Sequence, residues 1–146
     1  MKETPSQLPI PAFVMNFPFT LETKSPNNIW MQEMDPEDLI VNKGNAYRQF
    51  LDLYQFVAGN SLVCNLPSYG DYQDLVYVAN MGIYLPHIKE SNHIVLSNFT
   101  SPPRQGEEKV GLPFFELMGY EVHICPFKWE GEADLKYLYD NVYIGG

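Results

Sequence analysis

Four polar clusters interrupt an otherwise aromatic and apolar chain, and each carries groups able to grip a small charged ligand. Asn27-Asn28-Ile-Trp30-Met31 places two carboxamides beside a large aromatic ring. Asp74 and Asn80 bracket Leu75-Val-Tyr-Val-Ala79, a run whose length and β-branched residues predict a strand, and period-2 alternation would turn both bracketing residues to one face. Arg104 stands in Thr100-Ser-Pro-Pro-Arg-Gln-Gly-Glu107, a rigid turn leading into a helix, and Glu130-Gly-Glu-Ala-Asp134 joins two strands. Binding groups concentrate on loops held by a rigid scaffold. Taken singly, each has a plainer use: Asp74 can cap a turn, Asn80 can take a left-handed position before Met81-Gly82, and Arg104 can be a solvated charge.

Other chemistries find less support. Cys64 and Cys125 sit inside apolar runs with no CxxC and no histidine at metal spacing, which predicts reduced, buried thiols and no metal site. Neither has the electropositive loop setting that lowers a thiol pKa. His87 and His93 flank a polar hairpin turn, and His123 alternates with Val122 and Ile124 in a strand. No GxGxxG, P-loop, HExxH or GxSxG is present, so neither a nucleotide cofactor nor a zinc-protease or serine-hydrolase centre is expected. With 9 basic against 18 acidic residues, a net charge of -9, the surface would repel nucleic acid while favouring a cationic metabolite. No apolar run approaches the roughly 20 residues that span a bilayer, and the start lacks a signal-peptide layout, so a cytoplasmic location is expected.

The elements that must position these clusters follow an internal repeat. Residues 1–11, with Pro5, Pro9 and Pro11, read as an extended lead-in; Phe13-Val-Met15 reads as a first buried strand, and residues 19–35 as a loop. Ala46, Phe50, Tyr54 and Val57 recur at helical spacing and Gly59-Asn60 follow, predicting a helix from about Asn45 to Ala58. Ser61-Leu-Val-Cys-Asn-Leu-Pro67 is the next strand. The plan then recurs: strands at 74–79, 82–85 and 93–97, a helix from about Gln105 to Met118 closed by Gly119, and the strand Tyr120-Glu-Val-His-Ile-Cys-Pro126. This last strand aligns with 61–67, and Asn141-Val-Tyr-Ile-Gly145 aligns with Asn80-Met-Gly-Ile-Tyr-Leu85. A period of roughly 60 residues, each unit unable to bury its faces alone, predicts a propeller-like assembly. The expected organisation is one incomplete α/β domain over 1–146, with a first module at 12–71, a second at 72–128 and the start of a third at 129–146. Such a fragment would self-associate or be completed by a missing C-terminal half.

The motifs Asn28-Ile-Trp-Met31, Asp74-Leu-Val-Tyr-Val-Ala-Asn80 with Gly82, Phe99 to Glu107, and Trp129-Glu-Gly-Glu-Ala-Asp134 occur in the order and approximate spacing of the pentein enzymes. From about residue 12 onward the chain resembles the first half of that group, which includes arginine deiminases, dimethylarginine hydrolases and amidinotransferases. The resemblance implies an α/β propeller of five ββαβ modules, of which two to two and a half are here, with an axial site for a guanidino substrate and no cofactor. It implies a guanidinium-binding, catalytic carboxylate at Glu130, substrate-binding roles for Asn28, Asp74, Asn80 and Asp134, and an α-carboxylate ligand in Arg104. The nucleophilic cysteine and the histidine of that group come from later modules. Where the group usually carries an aspartate, this chain has Asn80, which cannot form the charge-assisted pair. That variant resembles the arginine dihydrolase branch, which converts arginine to ornithine, ammonia and carbon dioxide. The alternatives are deimination or amidino transfer, or a non-catalytic half-propeller that binds a guanidino compound or a partner chain.

Overall fold

Asparagine side chains start both helices of the first half. Asn28 Oδ1 accepts the Met31 N–H at 2.9 Å to open the single turn α1 (Ile29–Gln32), and Asn42 Oδ1 accepts the Asn45 N–H at 3.0 Å to open α2 (Lys43–Ala58). The computed structural model describes residues 8–146, so part of the lead-in expected over 1–11 lies outside the described residues. The loop expected over 19–35 therefore contains a short helix that the Asn28 cap initiates. On α2, Tyr47, Phe50 and Tyr54 form one face, and Phe17 meets both Tyr47 and Phe50 with ring centroids 5.0 Å apart.

Three small sheets follow. β1 (Ala12–Met15) pairs in parallel with β2 (Leu62–Asn65), with Val14 opposite Cys64. β3 (Gly82–Tyr84) pairs antiparallel with β4 (Asn92–Leu96), which pairs in parallel with β5 (Tyr120–Ile124) through the crossover helix α3 (Glu108–Leu117). β6 (Leu135–Tyr139) and β7 (Val142–Gly145) make a hairpin whose turn holds Asp140 at φ 50. No sheet closes on itself among the described residues. The order helix, strand, 3-10 turn, hairpin occurs twice: α2, β2, Val78–Met81, β3–β4, and then α3, β5, Gly131–Ala133, β6–β7.

The core lies between β1–β2 and the α3 side of the central sheet, where Leu66, Leu75, Met81, Leu96, Val110 and Phe115 are buried. Pro113 sits inside α3, and its missing N–H would orphan the Lys109 carbonyl; the Tyr69 hydroxyl donates to that oxygen at 2.5 Å and fills the gap. Elsewhere apolar surface is open. Among the described residues, Phe56, Leu117 and Phe127 are exposed, α2 has no fully buried residue, and every sheet ends in unpaired edges. No helix is long and apolar enough to cross a membrane among the described residues.

The strand expected at 74–79 is absent. Tyr77 N–H donates to the Asp74 carbonyl at 3.0 Å and Asn80 N–H to the Tyr77 carbonyl at 3.1 Å, so the segment is a turn running into the 3-10 turn Val78–Met81. Asp74 and Asn80 are thus placed by consecutive turns, not by strand alternation. Cys64 and Cys125 are free thiols, but each is half-buried where full burial was expected.

Candidate active site

Local turns bring the polar clusters to one cleft of about 370 Å3, lined by Asn27, Asn28, Asp74, Asn80, Arg104 and Glu130 among others. Asn28 stands exposed at the end of α1, its carboxamide spanning the Met31 N–H and Asn27, and Asn27 Nδ2 donates at 2.6 Å to Asp74 Oδ2. Gln73 Nε2 lies 3.3 Å from the same oxygen, so the buried Asp74 carboxylate has one oxygen held by amide donors.

Asn80 is fixed through its backbone. Ser97 Oγ donates to the Asn80 carbonyl at 2.6 Å, Ser97 N–H donates to the Met81 carbonyl at 2.8 Å, and Gly131 approaches so closely that an added Cβ would lie 2.7 Å from the Asn80 oxygen. Its side-chain amide has no hydrogen-bond partner among the described residues. The same holds for the Glu130 carboxylate, which faces the cleft. Asp134 is the one candidate that does not line it: Asp134 Oδ2 instead accepts the Glu130 backbone N–H at 2.7 Å and closes the 3-10 turn Gly131–Ala133. Glu132 points outward to Lys136 at 2.7 Å.

Arg104 is neither a solvated charge nor a free fork. It is 4% exposed, lies 4.1 Å from the Phe99 ring centre, and gives Nε and Nη2 to the two oxygens of Glu107 at 3.0 and 2.8 Å. Nη2 also reaches the Tyr77 carbonyl at 3.3 Å. Sequence reading passed over Glu107 as a partner, although the spacing of three between Arg104 and Glu107 around a tight turn was its signal. Burial pushes the Glu107 carboxyl up, against the pull of Arg104, and the nearby Asp74 and Glu130 charges push the same way. Glu22 was also missed; it lines the cleft from the 19–35 segment, and the Lys43 ammonium bonded to it at 2.7 Å draws its carboxyl below the usual range.

The cleft therefore presents three carboxylates, of which Glu22 is paired with Lys43 while Asp74 and Glu130 have no cationic partner among the described residues, and a single guanidinium that Glu107 already neutralises. Its field favours a cation, and its bonding groups suit a planar one with several N–H donors. A more apolar cavity of about 410 Å3, between α2 and β2, is lined by Phe17, Phe50 and Tyr54 and carries no charged side chain. Neither cysteine lines either cavity.

No protein-family model matches this chain. The bifunctional arginine dihydrolase/ornithine cyclodeaminase AgrE of Nostoc sp. is 33% identical over 95 residues, which make up 64% of this chain and 13% of that protein. Among solved structures, the apo form of ArgZ, an arginine dihydrolase from cyanobacteria, matches with a TM-score of 0.76 and 25% identity over 89% of this chain and 19% of its own. The substrate-bound N-terminal domain of ArgZ matches with a TM-score of 0.73 and 26% identity, covering 85% of this chain and 44% of that domain. A complex of AgrE with L-arginine gives 0.73 and 29%, covering 85% and 18%. The mixed α/β fold with small sheets is that of part of the ArgZ N-terminal domain, and the chain spans less than half the length of each of these relatives.

Proposed function

We propose that this chain forms the N-terminal part of a guanidino-group hydrolase acting on arginine or a related compound, taking arginine with two waters to ornithine, two ammonia molecules and carbon dioxide. The observation that carries this reading is the shared cleft of Asp74, Asn80 and Glu130, whose one guanidinium is internally paired. The substrate's guanidinium supplies the missing cation. Asp74 and Glu130 accept its N–H groups, with Glu130 nearest the chemistry as the catalytic carboxylate. Asn80 accepts from the guanidinium through its amide oxygen, and donates through its NH2 to the urea oxygen once the first nitrogen has left. One neutral side chain thereby serves both successive substrates, which favours two hydrolytic steps over single deimination or amidino transfer.

In the same reading, Arg104 offers its Nη1 end to the substrate α-carboxylate while Glu107 holds the other edge, and Asn28 borders the entrance. Asp134 serves as a positioning residue that sets the Glu130 backbone. The repeated helix, strand, turn and hairpin order supports ββαβ modules of a partial propeller, with the exposed apolar faces and open edges docking further modules or a second copy. The attacking thiolate and the proton-carrying histidine come, by the pentein resemblance, from those further modules. Mass spectrometry of the products formed from arginine by the full-length protein tests the reading. Ornithine without accumulated citrulline is expected; citrulline as the end product overturns the two-step assignment, and absence of turnover overturns the enzyme.

A further inference from the structure

We propose that His93, Glu121 and His123 form a binding site for a divalent transition metal ion, with zinc the natural probe, on the face of the central sheet opposite α3. Sequence spacing alone gave no hint of it, because the ligands converge across two strands. The parallel register sets His93 opposite Glu121, and alternation along β5 turns His123 to the same face. His93 Nδ1 lies 3.0 Å from His123 Nε2 and 3.8 Å from Glu121 Oε2, and the three ligand atoms all fall within 4.8 Å of one another. Zinc bound at about 2.0–2.2 Å by nitrogen and oxygen spaces its tetrahedral ligands about 3.3–3.5 Å apart, so small side-chain rotations suffice.

A second shell is already built. Ser91 Oγ donates its one proton to Glu121 Oε1 at 2.7 Å, so towards His93 Nε2, at 2.8 Å, it must accept. His93 is then protonated on Nε2 and directs the Nδ1 lone pair at His123. A single hydroxyl thus orients two of the three ligands, as outer-shell groups do around bound metals. Without metal, the His123 Nε2–H donates to Nδ1. Metal binding replaces that bond, and both nitrogens then turn their lone pairs to the ion. The fold does not require these side chains: in the first unit the equivalent positions are Ala12, Leu62 and Cys64, by the alignment of 61–67 with 120–126 and the matching parallel registers. Glu121 and His123 are exposed, which leaves the fourth position open to water or a further ligand. A bound ion would tie the edge strand β5 to β4.

The test is calorimetric titration of Zn2+ into the chelator-treated, tag-free chain, repeated with Co2+ to read the visible absorption of a low-symmetry site. One ion per chain is expected. Its affinity should fall by more than about 100-fold in His123→Ala and His93→Ala and by roughly 10–100-fold in Ser91→Ala, while His87→Ala, remote from the cluster, leaves it unchanged. His123→Gln accompanies the alanine variant to keep the edge strand polar, and circular dichroism establishes that each variant is folded. No saturable binding below millimolar Zn2+, or an unchanged affinity in folded His123→Ala or His123→Gln, overturns the proposal. Neither result bears on arginine turnover, so this site and the cleft stand or fall separately.

Discussion

Replacing Gly131 by alanine should destabilise the protein by about 2–4 kcal/mol and loosen the cleft together with the fold. Two costs add. Gly131 has φ 57, and an L-residue held in the left-handed region costs about 1 kcal/mol or slightly more. The new methyl would also sit 2.7 Å from the Asn80 oxygen, 2.8 Å from the Gly82 nitrogen and 2.9 Å from the Asn80 carbonyl carbon, all backbone atoms that cannot rotate aside. Overpacking of that kind costs about 1–3 kcal/mol. Gly119 supplies the control, since its φ is 86 but an added Cβ would meet nothing within 4 Å. Gly119→Ala should therefore lose only the conformational part, about 1 kcal/mol. Urea denaturation of both variants and the parent, with slopes compared so that midpoints report stability, separates the terms. In Gly131→Ala the backbone of Asn80 must also shift, so arginine affinity in the full-length protein should drop while Gly119→Ala keeps it. Equal destabilisation in the two variants would refute the argument that the Asn80 and Glu130 turns interlock through Gly131.

Glu107→Gln should cost about 3–5 kcal/mol in the same assay, because the buried Arg104 loses its counter-charge, whereas Arg104→Met combined with Glu107→Leu should cost less than the single change. On the proposed function, Asn80→Ala in the full-length protein should abolish arginine turnover and change the unfolding free energy by less than about 1 kcal/mol, since only polar recognition is lost; full turnover would remove Asn80 from the site. Burial, helped by Tyr84 and Cys64, pushes the Tyr120 hydroxyl up to about 12, so the folded state resists an ionisation that the unfolded chain undergoes near pH 10. Stability tied to Tyr120 is thus intact below about pH 10 and lost as pH rises through 12, and Tyr120→Phe should flatten the profile by about 1 kcal/mol at pH 11. Light scattering at rising concentration should show association through the exposed Phe56, Leu117 and Phe127 and the open strand edges.

Both long helices were legible because local chemistry marks their ends: the helical spacing of Ala46, Phe50, Tyr54 and Val57 stops at Gly59, and α3 stops before the left-handed Gly119. The strands around 13–15, 61–67, 82–85, 93–97 and 120–126 were legible from short apolar runs between turn residues. Leu75-Val-Tyr-Val-Ala79 misled for the same reason. Its composition suits a strand, but its backbone bonds close on themselves, Leu75 is fully buried, and the Tyr77 carbonyl is taken by Arg104, none of which residue type encodes locally. The cleft residues Asn28, Asp74, Asn80, Arg104 and Glu130 were named from motif order, yet the state of Arg104 was not, because solvated and buried arginines look alike until a partner such as Glu107 is placed. The His93–His123 contact was illegible for a different reason: a parallel register depends on the crossover through α3, and no spacing along the chain carries it.

The way Asn80 is mounted separates its chemistry from its upkeep. Ser97 and Gly131 fix the backbone at that residue, and the side chain contributes no hydrogen bond among the described residues. Selection acting on recognition can therefore exchange the group displayed at position 80 among side chains of similar size with little effect on folding, so a lineage could pass between a carboxamide, a carboxylate and a hydroxyl in single steps. At Asp74 or Arg104, whose side chains are bonded on several sides, the same exchange would first have to survive the loss of structure. Substrate preference in such a site should drift fastest where the scaffold asks least of the side chain.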